Sequence, residues 1–321
     1  MDTSTENIQG DIKPIIEESL ILDLLTKTFD RPVTELAPIE SGHIAKVFSF
    51  RADDGAYILR FTNKKMGSFA KEKFVYDNFV SPKIPIPPLI KVGELDQVGL
   101  YYAISQKMPG RELSALSKDE YFETLPSNME TLLAIHQSDV SRFSGYGWLQ
   151  DNGTGNGHAP SWAEALSGIM TEDPDDFYGR WHTLFDTTPL DRSYFEAAYE
   201  KMCSLLHFSP QDRYLIHRDY DYNNVLAENG KITAVLDWES VSYGDFVHEF
   251  AHLDFWRSNV DLATPFRDFY AKNGMDVSNF EQRFACSTIY LGLDGLRFFA
   301  KIGNFEPMER IKQVLEPHLN I

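Results

Sequence analysis

Cysteine is nearly absent. The 321 residues hold only Cys203 and Cys286. Two thiols are too few for a disulfide framework or a zinc-finger pattern, and they read as reduced core residues of a cytoplasmic protein. No apolar run approaches the ~18 residues that a membrane span needs. The opening Met1-Asp2-Thr3-Ser4-Thr5-Glu6-Asn7 lacks the basic start and apolar stretch of a secretory signal. Positive charge is scarce as well: 30 Lys+Arg face 48 Asp+Glu, a formal charge of −18. A nucleic-acid backbone would be repelled rather than steered in. Low-complexity tracts and internal repeats are missing too. What remains is an ordinary globular composition, 43% hydrophobic and 24% charged. At roughly 100–200 residues per domain, the length suits two compact units.

The two units differ in texture, which predicts an α+β chain. After a polar tail at 1–14, the front reads mostly as strand. Val47 to Phe50 and Ala56 to Phe61 flank the turn signal Asp53-Asp54-Gly55, a hairpin. A short helix is expected over Ser68 to Val80. The proline-rich stretch Pro82 to Pro88 excludes helix and central strand. Strands over Leu89 to Leu95 and Leu100 to Met108 follow. Beyond Met108, Ser127-x-x-Glu130, Ser161-x-x-Glu164 and Ser193-x-x-Glu196 read as capping boxes before helices. In the third, Phe195, Ala198, Tyr199, Met202, Leu205 and Leu206 share a face. Strands interrupt at Tyr214 to His217, and at Val225-Leu226 paired with Ile232 to Trp238. The division expected is 1–104, a linker at 105–108 and 109–321. The first 104 residues carry a net charge of −3 and the remainder −15. That imbalance is either a solvated acidic face or a site for a cation.

Chemistry concentrates in His217-Arg218-Asp219-Tyr220-Asp221-Tyr222-Asn223-Asn224 and Val235-Leu236-Asp237-Trp238-Glu239. Phosphoryl transfer needs a carboxylate to take the acceptor hydroxyl's proton and oxygen ligands to hold Mg²⁺ on the ATP phosphates. An Asp and an Asn five residues apart on one loop divide those tasks, and an Asp after the next hairpin completes the metal site. Asp219, Asn224 and Asp237 fit the H-x-D-x-x-x-x-N … D pattern of kinase catalytic loops. A polar loop of turn-forming Asp and Asn is the bland alternative, and its placement between a strand and a hairpin argues against it. His217 is expected to support the loop rather than to react.

These motifs, with Gly244-Asp245-x-x-x-Glu249-x-Ala251, resemble the aminoglycoside phosphotransferase family. Gly145-Tyr146-Gly147, Pro160-Ser161-Trp162, Tyr57-Ile58-Leu59-Arg60 and Ile84-Pro85-Ile86-Pro87 are similar to its hygromycin B phosphotransferase branch. The resemblance runs from about residue 20 to 305. It implies a bilobal protein-kinase-like fold, with a strand-rich nucleotide-covering lobe, a hinge and a helical lobe. It also implies ATP- and Mg²⁺-dependent transfer to a hydroxyl of a small molecule. Asp219 would be the base, Asn224 and Asp237 the metal ligands, and Asp245 a supporting group.

On that plan Ser41 and Gly42 belong to the nucleotide-covering loop, although Glu40-Ser41-Gly42-His43-Ile44-Ala45 has one glycine rather than three. Arg60 would bind phosphate in place of the usual Lys, with Glu72 orienting it. Gln106 and Met108 would offer hinge backbone to adenine. Gly is more usual at position 218, so Arg218 is expected to pair with a local carboxylate. Only seven residues lead from Asp237 to Gly244, too short for an activation loop, which disfavours a protein substrate. Asp221, Glu239 and Asp294 are the candidate acceptor-binding carboxylates, together with the acidic run Glu172 to Asp176. A cationic aminoglycoside such as hygromycin B is the acceptor they suit. No obligate protein partner is evident.

Three other readings compete. The acceptor is a macrolide or another small metabolite, or the chain is a catalytically dead nucleotide-binding module. Alternatively, His248-Glu249-x-x-His252 is the H-E-x-x-H of a zinc peptidase, with two His on one helix face. No third ligand stands at a convincing spacing for that last reading.

Overall fold

The computed structural model describes residues 13–40, 44–53, 55–63, 67–174, 176–256 and 262–319. Helix α1 (Glu18–Phe29) precedes strands β1 (Thr34–Ile39), β2 (Lys46–Ala52) and β3 (Gly55–Asn63). Helix α2 (Ala70–Phe79) and strands β4 (Leu89–Leu95) and β5 (Leu100–Gln106) follow. The five strands form one antiparallel sheet in the order β1-β2-β3-β5-β4. Leu59 and Phe61, two apart on β3, point to one face and are fully buried with Phe48, Phe50 and Ile104. Ile21, Leu24 and Leu25 of α1 close that core.

Helix α1 was not foreseen. Its apolar spacing is helical, but Glu17 makes no side-chain cap, so the usual start signal is missing. The expected hairpin, the short helix and the strand pair all form, with ends shifted by one or two residues.

The remainder is helical with small sheets. Strand β6 (Arg111–Glu112) leads into α3 (Lys118–His136), β7 (Tyr146–Leu149), β8 (Gly157–Ala159), α4 (Trp162–Ser167), α5 (Leu184–Thr187) and α6 (Arg192–Leu205). Then come β9 (Tyr214–Ile216), β10 (Val225–Glu228), β11 (Lys231–Val235), β12 (Ser242–Gly244), α7 (Val247–Phe255), α8 (Ala263–Lys272), α9 (Phe280–Lys301) and α10 (Glu306–Leu319). The sheets run β11-β10-β6 and β8-β7-β12-β9. Helix α9 is the hub, packed by α6, α7 and α10.

Two expected caps are displaced. Ser117 and Glu120 form the reciprocal box that starts α3. Ser127 lies inside that helix, and its hydroxyl accepts the Ile232 N–H at 3.0 Å, tying α3 to β11. Pro126 also lies within the helix. Helix α6 is capped by Asp191, which accepts from Tyr194 N at 3.1 Å, so Ser193 falls in its first turn. The Ser161 cap forms as expected. On α6 the predicted face buries Phe195, Ala198, Met202 and Leu205, while Tyr199 and Leu206 are only partly covered. Val75 and Phe79 of α2, with Ile84 and Ile86, join the same core as Leu113, Tyr220, Trp238 and Phe250. Helix α2 is thus shared between the strand-rich and helical halves. Among the described residues, no helix is long and apolar enough to cross a membrane.

Candidate active site

The loop between β9 and β10 carries most of the chemistry. Asp219 presents a side chain that is 41% exposed. Asn224 Nδ2 donates to both the Asp219 carbonyl and Asp219 Oδ2, each at 2.9 Å. With its amide nitrogen so engaged, Asn224 leaves its oxygen as the free donor of electron density. Asp221 Oδ1 accepts the Asn223 and Asn224 N–H groups at 2.7 and 2.9 Å, an Asx turn that shapes the loop. Partial withdrawal from water within the cleft raises the Asp219 carboxyl above the ordinary carboxylate range, and the charges of Asp221 and Asp237 add to it. A carboxylate so placed holds a proton more firmly once it takes one.

His217 bonds across that loop. Its Nε2–H donates to Leu236 O at 2.8 Å, and its Nδ1 accepts from Asp219 N at 3.2 Å. Burial lowers its pKa, which keeps the ring neutral in this tautomer. The ring packs on Trp238 with centroids 4.5 Å apart, so the two active loops are tied through one imidazole. Asp237 holds a left-handed backbone, φ +58°. Among the described residues its carboxylate makes no hydrogen bond or ion pair. Among the described residues, Asn224 Oδ1 and the Asp237 carboxylate are therefore two unspent oxygen donors, which suit a hard divalent cation.

Glu249 is fully buried, and its role was not legible beyond its place in a motif. Its Oε2 accepts His217 N at 2.6 Å and its Oε1 accepts Arg218 N at 2.8 Å. Burial pushes its pKa up, but surrounding His136, His217 and His252 outweigh that and bring it below the usual range. Arg218 needs this support, because its φ is +65°, costly for a residue with a Cβ. Among the described residues its guanidinium does not find the expected carboxylate. It lies 4.1 Å from the centre of the Trp148 ring and donates to Tyr290 Oη at 2.9 Å. A planar, weakly hydrated guanidinium is satisfied by an aromatic face.

From the strand-rich side, Arg60 on β3 donates to Glu72 on α2, and both are largely buried. Burial alone would lower the Arg60 pKa, yet Glu72, Asp237 and Glu239 raise it. Arg60 therefore lies in the field of the carboxylates that follow the β10–β11 hairpin. The Gln106 N–H is bound to Pro88 O and the Lys107 N–H to Ala56 O, each at 2.9 Å. Gln106 can thus meet a nucleotide only through its carbonyl or side chain. Ser41 and Gly42 lie outside the described residues.

The acidic candidates separate. Glu239 borders the cleft, 3.8 Å from Lys71 Nζ. Burial pushes its pKa up to about 7 against the opposing Lys71 charge. Asp294 accepts from Arg297 at 2.8 Å and from Tyr178 Oη at 3.0 Å, so much of its charge is answered internally. Asp245 forms a buried two-pronged pair with Arg283, at 2.6 and 2.9 Å, and accepts Val247 N at 3.0 Å. It fixes the start of α7.

The H-E-x-x-H residues have other tasks. Glu249 is spent on backbone N–H groups. The His248 ring sits 5.5 Å from Trp162 and 5.6 Å from Tyr290, edge-on between aromatics. His252 Nε2 lies 3.7 Å from Asp219 Oδ1. No group of three or more metal-binding side chains forms among the described residues.

Residues 35–276 match the model of the phosphotransferase enzyme family. The chain belongs to that family. It is 30% identical over 294 residues to hygromycin-B 4-O-kinase of Escherichia coli, spanning 92% of this chain and 83% of the relative. The crystal structure of aminoglycoside phosphotransferase APH(4)-Ia superposes with a TM-score of 0.81 at 27% identity, covering 95% of this chain and 99% of that one. A thermostable mutant of it, in ternary complex with ADP and hygromycin B, gives 0.80 at 27% identity, covering 94% and 98%. Spectinomycin phosphotransferase APH(9)-Ia shares the fold at 11% identity and a TM-score of 0.61, covering 95% of each chain. The chain is thus a hydroxyl-directed phosphotransferase of α+β, kinase-like fold.

Proposed function

We propose that the chain transfers the γ-phosphoryl group of ATP to a hydroxyl of hygromycin B or a closely similar aminoglycoside, in a Mg²⁺-dependent reaction. One observation carries the assignment of roles: the Asp219 carboxylate is held by Asn224, while among the described residues the Asn224 Oδ1 and Asp237 oxygens stay uncommitted. Asp219 accepts the proton of the acceptor hydroxyl as its oxygen attacks the γ-phosphorus. The bond from that phosphorus to the bridging oxygen breaks, and ADP carries the charge away. Asn224 Oδ1 and Asp237 would hold Mg²⁺, which would neutralise the phosphate charge. Arg60 grips the phosphates and Glu72 keeps it aimed. His217 and Glu249 keep the strained loop in register, so that positioning supplies much of the rate.

Residues 105–108 serve as hinge between a nucleotide lobe and an acceptor lobe. Met108 backbone is the better placed adenine contact, since the Gln106 N–H is already bonded within the sheet region. On the acceptor side, Glu239 is the carboxylate best placed to meet an ammonium group. Identity to hygromycin-B 4-O-kinase over most of both chains supports the acceptor class.

The test is a panel of aminocyclitol antibiotics, choline-like amines and macrolides, incubated with ATP and Mg²⁺ and read by mass. Phosphorylated hygromycin B is expected. Product only from a macrolide or an uncharged metabolite would overturn the acceptor assignment.

A further inference from the structure

Lys71 stands one residue before Glu72 on α2, yet it does not behave as a surface lysine. Its side chain is 13% exposed, with Nζ 3.5 Å from Asp151 Oδ1 and 3.8 Å from Glu239 Oε1. Lys73, two residues on, is 56% exposed and pairs within its own helix with Asp77. Both partners of Lys71 come from the helical half. Asp151 follows β7, and Glu239 stands two residues after Asp237. The same ammonium lies 5.9 Å from the centre of the Trp148 ring, on which Arg218 also rests at 4.1 Å. Arg218 precedes Asp219. One cation therefore touches the carriers of three functional groups: the helix of Glu72, the turn of Asp237 and, through Trp148 and Arg218, the loop of Asp219.

Neighbouring contacts press the same elements together. A Cβ on Gly67, where the chain enters α2, would lie 2.6 Å from Glu239 Oε1. Phe74, one turn beyond Lys71, fills the space beside Gly155 and meets the Phe143 ring at 5.1 Å. The apolar contacts hold the middle of α2, whereas beside its first turn, with Glu72, the Lys71 ammonium meets Asp151, Glu239 and the Trp148 ring. Removing that charge would leave Glu239 and Asp151 without their shared cation beside Asp237.

We infer that Lys71 is a positioning residue, a latch across the cleft. It keeps Glu72, and through it Arg60, in register with the loops that present Asp237 and Asp219. This deepens the phosphotransferase reading and rests on it.

Lys71→Met keeps the length and removes the charge, Lys71→Arg keeps the charge, and Lys73→Met is the control. Each is measured for Mg²⁺–AMP-PNP dissociation constant, for kcat and KM with hygromycin B, and for thermal midpoint. Lys71→Met should weaken nucleotide binding and lower kcat by about tenfold, in the range of coupling between contacting elements, at a nearly unchanged midpoint. Lys71→Arg should stay within about threefold of wild type, and Lys73→Met should match it. Lys71→Met indistinguishable from wild type in nucleotide affinity and kcat would overturn the latch. So would a loss that Arg does not restore and that follows a falling midpoint, since Lys71 would then be packing only. If wild type itself leaves hygromycin B unmodified, the acceptor assignment falls, while nucleotide affinity still decides the latch.

Discussion

The Glu249 carboxylate accepts the Arg218 N–H at 2.8 Å, in the interior of the helical half. That bond fixes a residue of positive φ immediately before the proposed base. Glu249→Ala would leave two buried N–H groups without acceptors. It should cost about 2–5 kcal/mol of stability and depress kcat as the loop loosens. Glu249→Gln, which keeps an oxygen acceptor, should cost less. Denaturant titration beside steady-state kinetics checks this, and equal effects from the two would contradict the anchoring role.

Arg218 gives a second test, because strain and stacking pull in opposite directions. Arg218→Ala loses the Trp148 and Tyr290 contacts and keeps the left-handed backbone. Arg218→Gly loses the same contacts but relieves the backbone. The Gly variant should therefore be the more stable of the two by about 1 kcal/mol. Chemical denaturation of both decides it, with Ala equal to or above Gly as the contrary result.

The metal donors are best probed with their backbone in mind. At φ +58°, Asp237→Ala would mix strain with loss of a ligand, whereas Asn tolerates the left-handed region. Asp237→Asn and Asn224→Ala should both raise the Mg²⁺ concentration needed for half-maximal turnover, the former more, since it removes a full charge from a divalent site. Mg²⁺ titrations unchanged in both variants would sink the site.

The acidic residues should divide by what they already hold. Asp221→Ala removes the oxygen that accepts the Asn223 and Asn224 N–H groups and so disturbs the turn that places Asn224; it should lower kcat more than it raises acceptor KM. Glu239→Gln should raise acceptor KM and, because it removes one of the two carboxylates that meet Lys71, also weaken nucleotide binding; acceptor KM should climb with ionic strength, as the Debye length is about 10 Å at 0.1 M. Asp294→Asn should have the smallest effect on acceptor KM, because Arg297 and Tyr178 already answer it. Initial rates at several salt concentrations test all three together.

Much of this site was legible because its chemistry is local in sequence. Asp219, Asn224 and Asp237 lie within one loop and hairpin, so their spacing pointed to them, and Arg60 with Glu72 lies on adjacent elements where the family resemblance pointed to them. What escaped was set by distant contacts. Nothing near Glu249 announces that it binds backbone 31 and 32 residues away. Arg218 was expected to find a carboxylate, and an aromatic face from β7 took its place. Ser127 and Ser193 matched the capping pattern, but helices capped ten residues earlier at Ser117 and two residues earlier at Asp191 absorbed them. Helix α1 went unseen because its first residue lacks a cap and its apolar face needs the sheet to be buried.

The central claim is that Asp219 takes the proton from a hydroxyl of a cationic acceptor. Its most direct test compares wild type and Asp219→Asn for phosphorylated hygromycin B by mass, with Mg²⁺–AMP-PNP affinity measured in parallel. Wild type should add one phosphoryl group per acceptor. Asp219→Asn should keep nucleotide affinity and lose on the order of 10²–10⁴ in kcat. Near-full turnover by Asp219→Asn would contradict the account.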